Sequence, residues 1–236
     1  MQKFTFLLIC YIVCLNLLLA VIIFKPGPVE QLAKRLGWRK SSHTEHYNRM
    51  LAFHRRIDAC VPENAVIFIG DSFIQGMCVS AIVEGGVNFG VGGDTTAGVL
   101  KRLSMYTSIK RARAIVLAVG FNNLRERNNS QIVKNYREIL LKMPENVKVV
   151  FCSVLPIDET CRSERYNDRI IELNRSSAEI CSSMENCQFV DLAEKLRDTQ
   201  GNLSRHYHEG DGIHLNSKGY SIYNETLKAS LISVMQ

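Results

Sequence analysis

The chain carries 21 consecutive positions, residues 4–24, without one charged side chain (FTFLLICYIVCLNLLLAVIIF). About 20 apolar residues cross a bilayer as a helix, and the lone Asn16 amide costs far less there than a charge would. The run exceeds the ~7–15 apolar residues of a cleaved secretory signal, and no small-x-small cleavage site follows it. The pattern therefore predicts an uncleaved, single-pass transmembrane anchor over 4–24, ended by the breaker cluster Lys25-Pro26-Gly27-Pro28. Residues 25–60 read as a basic juxtamembrane linker. Within it Met50, Leu51, Phe53, His54 and Ile57 are spaced to form one face of a lead-in helix.

From residue 61 to 236 the pattern changes to that of a folded domain. Short β-rich runs recur at 65–70 (AVIFIG), 86–89 (GVNF), 114–120 (AIVLAVG), 147–155 (VKVVFCSVL) and 188–192 (QFVDL). Three of them are nearly continuous apolar stretches, as strands buried on both faces of a parallel sheet require. Helix-length segments lie between and after them, at 95–106, 130–143, 165–184 and 217–234. Strands alternating with helices imply βαβ units. The expected fold is α/β: a three-layer α/β/α sandwich, flavodoxin-like, with about five parallel strands. Functional groups in such sheets collect at the carboxyl ends of strands.

Composition changes this picture little. With 46% hydrophobic and 22% charged residues the chain is globular rather than disordered. The net charge is +6, but no Lys/Arg block or basic-aromatic stripe appears, so nucleic-acid binding is not indicated. Of eight cysteines, Cys10 and Cys14 lie in the apolar span. The other six (Cys60, Cys78, Cys152, Cys161, Cys181 and Cys187) are compatible with disulfides in an exported domain, but six allow 15 pairings and none is assigned. Cys152, inside an apolar run, reads as a buried free thiol. No CxxC pair or Cys/His ligand spacing points to zinc.

Candidate chemistry sits at the strand ends. The first strand runs into Gly70-Asp71-Ser72, where a glycine would give a tight turn its backbone freedom and a serine could be presented at the sheet edge. Asp and Ser are also ordinary helix caps, and that bland reading competes. Near the other end stands Asp211-Gly212-Ile213-His214, whose spacing lets a carboxylate hold one ring nitrogen while the other takes a proton from serine. His206 and His208 lie close by without a carboxylate at that spacing, and rank as loop or substrate-rim residues. The second strand leads into the glycine-rich turn Gly90-Val91-Gly92-Gly93-Asp94, whose backbone N–H groups could cradle an anion. That turn fits neither the dinucleotide-binding nor the P-loop pattern. The third ends in Gly120-Phe121-Asn122-Asn123, where a side-chain amide could donate a hydrogen bond; Asn there is otherwise a common turn residue.

Taken in order, GDS at 70–72, NFGVGGDTT at 88–96, GFNN at 120–123 and DGIHLN at 211–216 resemble the four blocks of the GDSL/SGNH hydrolase superfamily, over residues 65 to 220. The second and third blocks look most like its acetylhydrolase-type esterase branch. The resemblance implies Ser72 as nucleophile, His214 as base and then acid, and Asp211 as its orienter. It implies an oxyanion hole from the N–H groups of Ser72 and Gly93 and the Asn122 amide. Gly92 beside Gly93 leaves that donor open to misassignment by one residue. Phe73 stands where the family name has leucine. Phe121 stands where threonine is common, which would narrow the pocket. The expected activity is hydrolysis of an oxygen ester with a short acyl group such as acetyl. Its substrate would be a small-molecule, glycan or lipid ester, with no metal or organic cofactor. Transfer of the acyl group to a glycan hydroxyl is an alternative, as is lysophospholipase or thioesterase activity; a non-catalytic membrane-tethered binding domain ranks last. Arg125 and Arg127 read as solvated surface or as contacts to an anionic acceptor.

Location divides the observations. Lys3 alone precedes the apolar run, while Lys25, Lys34, Arg35, Arg39 and Lys40 follow it. The positive-inside rule taken alone would leave the domain in the cytoplasm. The resemblance implies instead a bacterial, membrane-anchored member whose catalytic domain faces the periplasm or another extracytoplasmic space.

Overall fold

The structure is a computed structural model that describes residues 11–13, 15–16 and 42–236. Residues 11–13 and 15–16 are helical; the rest of the expected anchor over 4–24, and most of the linker, lie outside the described residues. Among the described residues no helix is long and apolar enough to cross a membrane. One compact unit runs Tyr47–Gln236.

Five strands form one sheet: β1 (Val66–Gly70), β2 (Gly86–Gly90), β3 (Ala114–Ala118), β4 (Lys148–Cys152) and β5 (Cys187–Val190). All neighbours are parallel, in the order β2-β1-β3-β4-β5. That is the flavodoxin-like order, with its topological switch between β1 and β3. β1 and β3 are fully buried along their lengths, which accounts for their unbroken apolar sequences. The expected runs at 65–70, 114–120 and 147–155 were longer than the strands because apolar burial continues past the last ladder hydrogen bond.

The helices are α1 (Ser42–Asp58), α2 (Ser72–Gln75), α3 (Thr96–Leu103), α4 (Asn129–Leu141), α5 (Asn167–Ser182) and α6 (Ser217–Met235). Successive strand residues point to opposite faces, and β4 displays the consequence. Phe151 meets Tyr136 of α4 edge-on at 4.9 Å, while the next residue, Cys152, hydrogen-bonds Tyr223 of α6. Helices therefore cover both faces, giving the three-layer sandwich.

Within α1 the spacing places Met50, Leu51, His54 and Ile57 inward, but Phe53 is exposed. The buried line continues through Asp58 instead. Its carboxylate accepts from the backbone and hydroxyl groups of Thr107 and Ser108.

A disulfide joins Cys181 to Cys187, tying the end of α5 to the start of β5. Cys60, Cys78, Cys152 and Cys161 are free, and Cys152 is buried as its apolar context implied. Burial pushes the Cys152 thiol up to about 12.

Candidate active site

The carboxyl ends of β1, β2 and β3 converge with the 211–214 loop, bringing together residues 142 positions apart. Ser72 is the first residue of α2. Asp71 is its N-cap and accepts from the Phe73 N–H at 3.1 Å. The capping reading therefore holds for Asp71, with Ser72 as the first residue of the helix.

Gly70 is required for a reason other than turn freedom. A Cβ there would stand 2.1 Å from the Ala118 carbonyl oxygen and 2.5 Å from Ile74, so β1 and β3 could not approach this closely. It has no positive φ.

Ser72 Oγ lies 3.1 Å from His214 Nε2, and His214 Nδ1 lies 2.6 Å from Asp211 Oδ2. Asp211 Oδ1 accepts from the backbone N–H groups of Ile213 and His214 at 2.9 Å each. Partial burial would raise the Asp211 pKa, but the bonds from His214 and the backbone outweigh it and hold the carboxyl below its ordinary range. Asp211 thus stays ionised, and its position at Nδ1 leaves Nε2 facing the serine. The pair is open to solvent, with side chains 50% (His214) and 42% (Asp211) exposed. The Phe73 ring lies 5.9 Å from that of His214.

The Gly90–Asp94 turn follows β2 and the Asn122 amide follows β3, the two strands that neighbour β1. Gly93 has φ 74°, and the Gly92 N–H donates to Gln75 Oε1 at 2.5 Å. Asn122 Nδ2 donates to the Asp94 carbonyl oxygen at 2.9 Å, which uses one of its two hydrogens. Asn123 is buried and accepts the Thr96 N–H through Oδ1 at 2.9 Å, a structural tie between the third block and α3.

Phe121 is buried, meets Tyr166 edge-on at 6.4 Å, and borders a small cavity with Asp71, Phe73 and Tyr223. That cavity, of about 10 Å³, has room for about one water.

One set of residues escaped the sequence reading. Arg102 and Asp94, 0% and 2% exposed, form an ion pair at 2.8 Å. The same guanidinium donates to Gly70 O at 3.0 Å, Phe89 O at 2.8 Å and the Tyr106 hydroxyl. It therefore ties the ends of β1 and β2 to the turn that carries Gly93. A single arginine on the buried face of α3, between Val99 and Leu103, was the available signal. His54 belongs to this network too. Its Nδ1 pairs with Tyr106 at 2.8 Å and burial lowers its pKa to about 4.

Fold and site together define a carboxylic ester hydrolase, and the comparisons with known proteins carry that class. The profile of the GDSL-like lipase/acylhydrolase family matches residues 68–222, and the chain belongs to that family. It is 27% identical to platelet-activating factor acetylhydrolase IB subunit alpha1 of Rattus norvegicus over 221 residues, 89% of each chain. It is 28% identical to the alpha2 subunit of Homo sapiens over 204 residues, 80% of this chain and 86% of that one. Among solved structures, a GDSL-like lipase from Bacteroides thetaiotaomicron superposes with a TM-score of 0.63 at 19% identity, covering 78% of this chain and 97% of that one.

Proposed function

We propose that the protein is a serine esterase that removes a short acyl group, acetyl first among them, through an acyl-enzyme on Ser72. The observation that carries this is the continuous chain Ser72 Oγ–His214 Nε2, His214 Nδ1–Asp211 Oδ2, at 3.1 and 2.6 Å. His214 takes the serine proton as Oγ attacks the ester carbonyl. The oxyanion is met by the N–H groups of Ser72 and Gly93 and the second hydrogen of Asn122 Nδ2. The intermediate collapses as His214 returns the proton to the leaving alcohol, and water then releases the acid by the same steps. The acetyl preference is supported by the relatives' name, acetylhydrolase.

The test is a panel of p-nitrophenyl esters of rising chain length, with fluorophosphonate labelling of wild type and Ser72→Ala. Fastest turnover of acetate, with labelling lost in the variant, is the expected outcome. Absence of labelling in wild type, or equal labelling of both proteins, overturns the serine mechanism.

For location, we propose a single-pass anchor over 4–24 with the domain outside the cytoplasm. The uncharged run supports the anchor, and the Cys181–Cys187 disulfide supports an oxidising compartment. A C-terminal reporter active only in the cytoplasm should be silent; a bright one refutes the orientation.

A further inference from the structure

His208, Asp158 and Cys161 come together 4.8 Å or less apart through their ligand-type atoms, although nothing in their spacing along the chain announces it. The hydrogen bonds decide what they do. His208 Nδ1 accepts two backbone N–H groups, Gly210 at 3.0 Å and Gly212 at 3.2 Å. A nitrogen that accepts twice carries no proton, so the proton sits on Nε2 and is donated to Asp158 Oδ2 at 3.2 Å. Nε2 could bind a cation only by moving its proton to Nδ1, against both N–H donors. The trio is therefore a poor cation site and a well-formed clamp.

What it clamps is the loop that carries Asp211 and leads to His214. Gly210 and Gly212 flank Asp211 directly. The Asp158 N–H donates to Gly212 O at 2.9 Å, so the same residue grips the loop through its backbone as well. Asp158 Oδ1 is held in turn by the Thr160 N–H and hydroxyl at 2.9 and 2.6 Å. Gly212 has φ 74°, and a Cβ there would sit 2.7 Å from Cys161 Sγ, so the loop can lie against 158–162 only as glycine. Arg162 closes the outer side by donating to Asp211 O at 3.3 Å. His208 and Asp158 are buried although Asp211 and His214 are not. An exposed two-residue relay is thus held from beneath by a buried one.

We propose that His208, backed by Asp158, is a positioning residue that fixes the Asp211–His214 pair for proton transfer. The proposal rests on the esterase reading above, and it corrects the expectation that His208 is a rim residue. Three variants separate the two ring nitrogens. In His208→Asn the Oδ1 atom stands near the place of Nδ1 and can accept the loop N–H groups. In His208→Gln the Nε2 atom stands near the place of the ring Nε2 and keeps Asp158 while abandoning the loop. His208→Ala does neither.

Steady-state kinetics on p-nitrophenyl acetate should show kcat lowered about 10²-fold in His208→Ala and His208→Gln, the scale of an ångström-level misplacement, with KM little changed and His208→Asn restoring most of the loss. Proton NMR should show the downfield His214 Nδ1–H signal in wild type and His208→Asn, and lose it in the other two. Wild-type kcat in His208→Ala, or an Asn variant no better than the Gln variant, overturns the proposal. The NMR arm needs no substrate, so a wild type that turns over no ester defeats the esterase reading while the positioning claim is still judged by the signal.

Discussion

At Asp211 both carboxylate oxygens are committed, one to His214 Nδ1 and one to two backbone N–H groups. That division lets one carboxylate fix both its own loop and the tautomer of the base. Asp211→Asn keeps the shape but offers the ring an amide, which favours the wrong tautomer; kcat should fall by about 10³–10⁴-fold with fluorophosphonate labelling slowed in parallel. Asn122→Ala removes one of the proposed donors to the oxyanion and should lower kcat by about 10²–10³-fold with a smaller change in KM, measured on p-nitrophenyl acetate. At this scale the sequence was legible wherever chemistry lies in residue type and short spacing: Ser72, Asp211 and His214 all stand where the blocks put them. It was not legible at His208, because histidine beside a loop looks the same whether it faces solvent or grips the backbone. Nor was it legible at Gly70, whose requirement comes from Ala118, 48 positions away in sequence.

The elements that present the site are joined by Arg102 of α3, which reaches Gly70, Phe89 and Asp94 from one side chain. A buried charge with one partner removed is an uncompensated charge. Asp94→Asn and Arg102→Met should each cost about 3–5 kcal/mol in urea unfolding. The two together should cost less than the sum, because the second change removes the orphan left by the first. The alternation of strand-like and helix-length runs located the five strands and the four longer helices that follow β2 to β5, but not the four-residue α2 between β1 and β2. It placed His54 on the packed face of α1 but missed that Asp58 continues that face and that Phe53 turns outward, because a polar residue on a buried face is favoured only once its partners exist.

For the molecule as a whole, two buried groups set opposing responses to pH. Burial raises Asp71 from 3.8 to about 7, partly offset by the Phe73 N–H and reinforced by the charge of Asp94. Its neutral form is the one the fold prefers, so stability drains as pH rises from about 4 through 7. Burial lowers His54 from 6.5 to about 4, with the Arg102 charge adding to it, so stability from that group drains as pH falls from 6.5 towards 4. Asp71→Asn keeps an acceptor for Phe73 without the titration. Its stability relative to wild type should improve between pH 4 and pH 8 in urea unfolding; an unchanged difference would mean that Asp71 is ionised throughout.

The sequence by itself determined the class of sheet and the order of its elements, because burial on two faces demands continuous apolar strands, and its resemblance to the four blocks named the candidate reacting groups. Only the tertiary structure decided that Ser72 meets His214 across 142 positions, that the Gly92 N–H donates to Gln75, and that Asp94, Arg102, Asp158 and His208 underpin the loops around them. Those residues act through partners distant along the chain. A buried polar group declares its purpose only when the atoms that satisfy it are in place.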